Sequence, residues 1–243
     1  MCTVTYIPAG DKIFLTSNRD ERRLRRSATT PLLYPRNTGL MLFPRDGEAG
    51  GSWFVVHENG NALVLLNGAW TAHLSKPPYR KSRGLVLLEL ADNKHPLGAF
   101  REMDLDGIEP FTVVLLEGRQ LNVVRWDGSE KYEESLDASI PHIWSSVTLY
   151  DPAMIDKRRG WFDAWLLENP SPDQDDILRL HQLTGDGDRR YDLLMNRDNR
   201  LLTVSITSLQ QTSKEALLQY VDIKGQQTSR QRLLFTKERM ESV

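Results

Sequence analysis

Cysteine is nearly absent from this sequence. Among its 243 residues there is a single cysteine, Cys2, so the chain cannot form an intramolecular disulfide bond or a cysteine-rich zinc site. This composition suits a reducing compartment, and we expect the protein to be cytoplasmic.

Long apolar runs and targeting signals are also missing. No stretch reaches the roughly 18 consecutive apolar residues that a membrane-spanning helix requires. The start of the chain, Met1 to Tyr6, has no basic segment followed by an apolar segment, and therefore does not resemble a signal or transit peptide. We expect no membrane partner.

An excess of charge of one sign is lacking as well. The 31 Lys and Arg residues face 33 Asp and Glu residues, which leaves a formal net charge of −2. Such a chain has no general attraction for polyanions, so we expect no nucleic-acid partner. The 5 histidines show neither HxH nor HExxH spacing, and we expect no metal and no cofactor.

The composition is otherwise that of a globular protein. Hydrophobic residues make up 40% of the chain and charged residues 26%, which is enough for a sizeable core. No linker, repeat or low-complexity segment divides the chain. We therefore expect residues 1–243 to form a single domain.

Hydrophobic patterning predicts a mixed α+β fold. Strands and helices come in groups: strands, a helix pair, strands, a second helix pair, and strands again. Grouped strands favour antiparallel sheets, and two helix pairs can cover the outer faces of two stacked sheets. We predict a four-layer α-β-β-α sandwich of two mainly antiparallel sheets. The predicted strands span 2–8, 11–17, 52–56, 62–66, 111–116, 121–126, 143–148, 201–209, 217–223 and 231–236, and the predicted helices span 82–90, 97–103, 153–167 and 173–183.

The first two predicted strands form a hairpin. If Ala9 and Gly10 are its two turn residues, Val4 lies opposite Leu15 and the strand start lies opposite Ser17. The start of the chain then lies beside the segment Asn-Arg-Asp-Glu at positions 18–21.

Cys2 combines two reactive groups if Met1 is removed, which its small size permits. A thiol with a reference pKa of about 8.5 and an α-amine with one of about 8 give one residue a nucleophile and a base. The amine, directly or through a water, can take the thiol proton as sulfur attacks a carbonyl and return it to the leaving amine. The alternative is that Cys2 is a small residue packed in an edge strand.

The polar residues after the second strand are the next candidates. Asn18 can donate its amide to a substrate, and Asp20 can hold the ammonium group of the chain start or orient an arginine. Asn and Asp also cap turns very often. The spacing alone leaves both interpretations open.

Three further features favour structural roles. The glycines at 47–51 match neither a GxGxxG nor a P-loop pattern, so a structural turn is favoured over a ligand loop. Trp53 is expected in the core beneath the second hairpin, with a pocket wall as the alternative. The basic run at 22–26 is interpreted as a solvated loop.

Several motifs together resemble the NRDE family, which includes the transport and Golgi organisation proteins. Four motifs follow each other in the family's order and at similar separations. They are Met1-Cys2, Ser17-Asn18-Arg19-Asp20-Glu21, Gly50-Gly51-Ser52-Trp53 and Leu66-Asn67. These motifs cover the first third of the chain. Segments 143–149 and 203–207 resemble the family more loosely.

The NRDE family is similar to N-terminal-nucleophile hydrolases of the choloylglycine hydrolase kind. Those enzymes have the α-β-β-α sandwich and cleave non-peptide carbon–nitrogen amide bonds. The resemblance implies that Cys2 is the nucleophile, that Asp20 supports its amine and thiol, and that Asn67 donates to the oxyanion.

Other positions match the hydrolase pattern in part. Asn18 matches an asparagine of that pattern, but the arginine that precedes it there is Ser17 here, and Arg19 follows it instead. Ser146 stands where the NRDE family often has asparagine. Ser146 and Trp53 are candidates for contact with substrate.

These observations favour an N-terminal cysteine amidohydrolase that cleaves a small amide through a thioester intermediate. An alternative is a non-catalytic carrier of a small ligand with the same fold. Haem is the specific candidate, because haem-trafficking roles have been proposed within the resembling family, although the sequence has no Cys-Pro or CxxCH haem motif. A third hypothesis is an interaction protein of the secretory pathway, for which the chain offers no lipidation motif.

Overall fold

Strands make up most of the regular structure. The computed structural model describes residues 3–236, which contain, in chain order, β1 (Thr3–Ala9), β2 (Lys12–Arg22), β3 (Leu32–Arg36), β4 (Gly39–Phe43), β5 (Phe54–His57), β6 (Ala62–Asn67), α1 (Arg83–Ala91), α2 (Pro96–Glu102), β7 (Phe111–Glu117), β8 (Gln120–Trp126), β9 (Lys131–Leu136), β10 (His142–Ser145), α3 (Pro152–Glu168), α4 (Gln174–Leu183), β11 (Asn196–Arg197), β12 (Leu201–Gln211), β13 (Glu215–Asp222) and β14 (Gln227–Leu234).

Two sheets form the middle of the fold. The first sheet has the strand order β10, β1, β2, β12, β13, β14, with β11 beside β12, and the second runs in sequence order from β3 to β9. All strand pairs in both sheets are antiparallel. Helices α3 and α4 pack on the first sheet, and α1 and α2 pack on the second. The predicted four-layer α-β-β-α sandwich is confirmed.

Alternating strand side chains fill the spaces between these layers. Val4 and Leu15 of the first sheet share one buried cluster with Val64 of the second sheet. Phe14 faces the other way and packs with Phe162 of α3. Burial of each such side chain contributes about 1.5–3 kcal/mol. Because both sheets share one core, the structure supports the proposal that the chain is a single domain.

The four predicted helices are confirmed to within one residue at each end. Proline at the first turn starts α2 and α3, and Asp173 begins α4 with a capping box that it forms with Asp176. Within residues 3–236, no helix combines the length and the apolar character that a membrane span needs.

The register predicted for the first hairpin is wrong by two residues. Val4 lies opposite Ser17, because Ala9 pairs with Lys12 and the turn begins one residue later, at Gly10. Gly10 has a φ of +62°, which the first central residue of a type II′ turn requires and which glycine adopts without strain. A shift of two residues leaves every side chain on its predicted face of the sheet.

Three strands of the second sheet are not identified by the sequence patterns. β3 and β9 are its two edge strands, and β4 pairs with β3. β3 contains Pro35, and β9 contains Lys131, Glu133 and Glu134. Proline and charged residues are typical of edge strands, where they discourage pairing with other chains, and they interrupt the alternating apolar pattern.

A close contact between two glycines fixes the start of α1 against the 50–52 segment. The amide of Ser52 donates to the carbonyl of Gly84 at 3.1 Å. A Cβ on Gly51 would lie 2.4 Å from the backbone carbon of Gly84, and a Cβ on Gly84 would lie 2.8 Å from the Ser52 carbonyl oxygen. The structural role expected for the glycine-rich turn is consistent with this packing.

We expect Gly84→Ala to lower the free energy of unfolding by about 1–3 kcal/mol, since its methyl group would meet backbone atoms that cannot move independently. Gly160→Ala in α3 is the matched control, because a Cβ there meets no atom within 4 Å. Alanine should stabilise that helix by about 0.5–1 kcal/mol. Urea unfolding of both variants measures the two changes in the free energy of unfolding. A Gly84→Ala protein as stable as the unsubstituted protein would contradict this packing.

Candidate active site

The first residue of the described chain lies inside the first sheet. Thr3 is fully buried and pairs with Asn18 of β2 on one side and Ser145 of β10 on the other. Met1 and Cys2 lie outside the described residues, so the role of Cys2 as nucleophile stays a prediction. The surroundings of Thr3 define the candidate site.

The two sheets meet at a corner next to Ser145. The hydroxyl of Ser146 donates to the backbone carbonyl of Asn67, at the end of β6, at 2.8 Å. Gly68 follows with a φ of +80°, and a Cβ there would lie 2.7 Å from Val147 and 2.8 Å from Thr148. Glycine at this position therefore permits the close approach of the two segments.

A cleft opens beside this corner. It holds about 560 Å³, counted to its open mouth, and its lining includes Asn67, Ser146 and Trp70. Asn67 is half-buried, and its carboxamide makes no hydrogen bond within residues 3–236. Its N–H groups can therefore donate to a ligand in the cleft.

Asp20 is held in one orientation by two hydroxyl groups. Its Oδ1 accepts from the Thr203 hydroxyl at 2.6 Å, and its Oδ2 accepts from the Tyr150 hydroxyl at 3.3 Å. The carboxylate is only 4% exposed. It lies on β2 two residues beyond Asn18, which pairs with Thr3, and so lies near the start of the chain.

A buried arginine beneath Tyr150 is the main residue that the sequence analysis missed. Arg158 is fully buried and donates to Thr3 Oγ1 and to the carbonyls of Tyr191 and Asp192. Its guanidinium stacks on the Tyr150 ring at 3.7 Å from the centroid. No carboxylate among residues 3–236 forms an ion pair with it.

A signal for Arg158 was present in the sequence. On α3 it lies four residues after Met154 and four before Phe162, which places an arginine on a stripe of large apolar side chains. A charge in the middle of a buried helix face requires a specific set of hydrogen-bond partners. That mismatch between residue type and face could have identified it.

Asn18 and His181 form a second buried polar pair. The Asn18 amide donates to the carbonyls of Leu193, at 2.6 Å, and His181, at 3.2 Å. Its Oδ1 lies 2.7 Å from His181 Nδ1, so Nδ1 donates and Nε2 accepts from the Thr5 hydroxyl at 2.8 Å. Both amide hydrogens of Asn18 thus bind α4 and the adjacent loop, and neither is left for a substrate.

The charge of Arg19 is directed away from Asp20. Its guanidinium binds the Asp46 carboxylate and stacks over Trp53 at 4.3 Å. Arg25 binds the same carboxylate through two hydrogen bonds of 2.9 and 3.0 Å. Burial raises the pKa of Asp46, but the Arg25 and Ala49 hydrogen bonds and the Arg19 charge outweigh it and hold the pKa below its usual value.

The two residues predicted to contact substrate have different surroundings. Ser146 lines the cleft. Trp53 is 3% exposed, belongs to the core between the sheets and donates from Nε1 to the Thr207 hydroxyl at 3.3 Å. Its indole therefore orients Arg19 rather than lining the cleft beside Asn67.

Residues 3–236 contain no cluster of three or more His, Cys, Asp or Glu side chains that could hold a metal ion. The described residues that line the cleft include no His, Met or Tyr side chain to ligate haem iron. The haem hypothesis stays a prediction.

Below pH 6.5 we expect the free energy of unfolding to decrease as the pH is lowered. The reason is that burial, together with the nearby Arg158 charge, lowers the pKa of His181 from 6.5 to about 3. Between these values the unfolded chain binds the proton and the folded chain does not. Acid therefore favours unfolding, by about 1 kcal/mol per pH unit for this residue. Urea unfolding from pH 7 to pH 4 should show a shallower pH dependence for His181→Gln, and equal slopes would contradict this assignment.

Solved structures with the same fold come from a worm and a bacterium. The Caenorhabditis elegans N-acylethanolamine-hydrolyzing acid amidase ortholog has a TM-score of 0.61 and 14% identity, over 86% of this chain and 92% of that chain. Two structures of variants of conjugated bile acid hydrolase from Clostridium perfringens have TM-scores of 0.62 and 0.64 and identities of 10% and 11%, each over 100% of this chain and 99% of that chain. They confirm the N-terminal-nucleophile hydrolase fold.

Sequence comparisons give the family. Curated protein sequences yield no significant match. The family described as transport and Golgi organisation 2 matches residues 1–235, and the resemblance drawn from the sequence motifs is thereby confirmed. Since this match covers nearly the whole chain, the protein belongs to the transport and Golgi organisation 2 family.

Proposed function

We propose that this protein is an N-terminal cysteine amidohydrolase that cleaves a small amide through a thioester intermediate. The observation that carries the proposal is the position of Thr3. It pairs with Ser145, and Ser145 lines the cleft together with Asn67 and Ser146. The residue that precedes Thr3 in the sequence is Cys2.

The two antiparallel ladders of β1 support the proposal. Thr3 is paired with Asn18 and with Ser145, so β1 begins between β2 and β10, and Ser145 lines the cleft. In this proposal the thiol of Cys2 acts on an amide bound in that cleft.

The proposed reaction begins once Met1 is removed. The α-amine of Cys2 takes the thiol proton as Sγ bonds to the amide carbon, and the Asn67 amide donates to the resulting oxyanion. Collapse of the intermediate breaks the carbon–nitrogen bond, and the leaving amine receives the proton. Water then adds to the thioester, and the carboxylic acid and the free thiol are released.

Asp20 and Arg158 prepare the two groups of Cys2 in this mechanism. Asp20 is oriented by Tyr150 and Thr203 and accepts a hydrogen bond from the α-amine. The positive charge of Arg158 is fixed against Thr3. A nearby cation favours the thiolate and the neutral amine over their protonated forms, which are the states that the first step requires.

The structural neighbours add support of a different kind. By name, they include an acid amidase and a bile acid hydrolase. Their low identity to this chain means that the shared fold, and not the shared residues, is the basis of this support.

We expect Cys2→Ala to abolish amide cleavage, because the nucleophile is lost. Cys2→Ser replaces the thiol with a hydroxyl group but keeps a small second residue, and it is the matched control for removal of Met1. Intact mass spectrometry should show that Met1 is absent from the purified protein. With a panel of chromogenic acyl anilides, it should also show an acyl adduct on Cys2 that hydroxylamine removes. Retention of Met1, or equal anilide cleavage by Cys2→Ala, would contradict the proposal.

Asn67→Ala should lower kcat by about 10²–10³-fold, the usual effect of removing one oxyanion donor. The alkylation rate of Cys2 by iodoacetamide should stay the same, since Asn67 acts on the carbonyl oxygen and not on the thiol. Asn37→Ala, an exposed position after β3, is the control. A kcat for Asn67→Ala equal to that of Asn37→Ala would remove Asn67 from the mechanism.

A further inference from the structure

We infer that the basic turn at residues 22–26 docks on the surface of a bilayer that contains anionic phospholipids. The sequence of this turn is Arg-Arg-Leu-Arg-Arg, and it follows the end of β2. The inference goes beyond the proposed function and does not depend on it, because no residue of the turn takes part in the proposed reaction.

Backbone hydrogen bonds hold the basic turn in place. The amide of Arg25 donates to the carbonyl of Arg22 at 2.9 Å, and the amide of Arg23 donates to the carbonyl of Arg200 at 2.9 Å. Leu24 lies at the tip and is 94% exposed. The turn therefore presents a leucine side chain to solvent from a fixed backbone.

The carboxylates beside the turn are bound by Arg19 and Arg25. Asp46 binds both guanidinium groups, and Glu21 lies 3.7 Å from each of them. Glu48 lies 3.2 Å from Arg25. These ion pairs use the charges of two arginines and leave the other cations of the turn without a carboxylate partner.

Four cations in and beside the turn are available to an anionic surface. Arg22, Arg23, Arg26 and Lys224 are exposed, and none of them forms an ion pair with the residues between 3 and 236. The Lys224 ammonium group donates to the carbonyl of Arg23 at 3.2 Å, which places it against the turn. The run is solvated, as its pattern indicates, but most of its charge is not balanced by neighbours. A bilayer with anionic lipids attracts each such cation.

Leu24 favours a bilayer over other anionic partners. Single exposed apolar residues are common on protein surfaces, but this leucine stands at a tip between two pairs of arginines. Such a side chain can enter the boundary between headgroups and acyl chains while the guanidinium groups bind lipid phosphates. A nucleic acid offers no apolar phase to a leucine, and proteins that bind single strands use aromatic rings for stacking, which residues 22–31 lack.

This inference replaces the expectation that the protein has no membrane partner. That expectation is based on the net charge of −2 and on the lack of long apolar runs, which concern the whole chain and a spanning segment. Docking on a surface depends instead on a local excess of cations and on an apolar anchor.

Cosedimentation of the full-length protein with vesicles tests the docking. The two probes are vesicles of phosphatidylcholine alone and vesicles of equal parts phosphatidylcholine and phosphatidylserine. We expect the protein to bind the anionic vesicles at least about tenfold more strongly than the neutral ones. This binding should weaken as the salt concentration rises.

Removal of two charges measures the contribution of the turn. The double variant Arg22→Gln with Arg23→Gln should bind anionic vesicles about 25-fold more weakly, since each cation near the surface contributes about fivefold. The matched control is Lys12→Gln with Arg119→Gln, which removes the same charge from exposed positions at the β1–β2 and β7–β8 turns. It should bind like the unsubstituted protein.

Leu24→Ala separates a bilayer from a general polyanion site. We expect it to weaken binding to anionic vesicles by about tenfold without changing the salt dependence, because it removes apolar contact and no charge. Polyglutamate and single-stranded DNA are the competing polyanions. No preference for anionic vesicles, or an equal loss in the control double variant, would overturn the inference. So would unchanged vesicle binding by Leu24→Ala, or equally tight binding of either polyanion.

Discussion

The guanidinium group of Arg158 joins the start of the first sheet to the elements that cover it. A buried guanidinium loses its hydration, so its position is stable only where several acceptors replace the lost water. Here the acceptors are Thr3 and the carbonyls of Tyr191 and Asp192, and the Tyr150 ring covers one face. Tyr150 in turn orients Asp20. One cation thus fixes the strand start, the 191–192 loop and the carboxylate.

The second constraint is the contact between the two sheets at Asn67. The Ser146 hydroxyl donates to the Asn67 backbone carbonyl. This bond holds the asparagine backbone in place without using its carboxamide, which can then face the cleft. The serine found where the family often has asparagine therefore has a clear structural use in this chain. It holds the neighbouring donor in place, and Gly68 allows the two segments to approach closely enough for this contact.

The sequence allowed much of the architecture to be predicted, because the central strands have strong hydrophobic patterns and α2, α3 and α4 begin at proline or aspartate start signals. The edge strands β3 and β9 were missed, since proline and charge replace the apolar alternation there. The hairpin register was misjudged because Ala9-Gly10 and Gly10-Asp11 are both plausible two-residue turns. Only the position of Gly10 in the turn, where a positive φ is needed, distinguishes them.

The neighbours Asn18, Arg19 and Asp20 show why a motif does not define a site. Alternation in β2 sends Asn18 to His181 and Arg19 to Asp46 on opposite faces of the sheet, while Asp20 binds hydroxyls from two distant segments. The sequence by itself determined the residue types, the order of the elements and the two-layered sheet core, because these follow from local patterns. Only the tertiary structure decided which side chains are consumed by internal partners and which face a cleft, because those partners lie between 27 and 183 residues away along the chain.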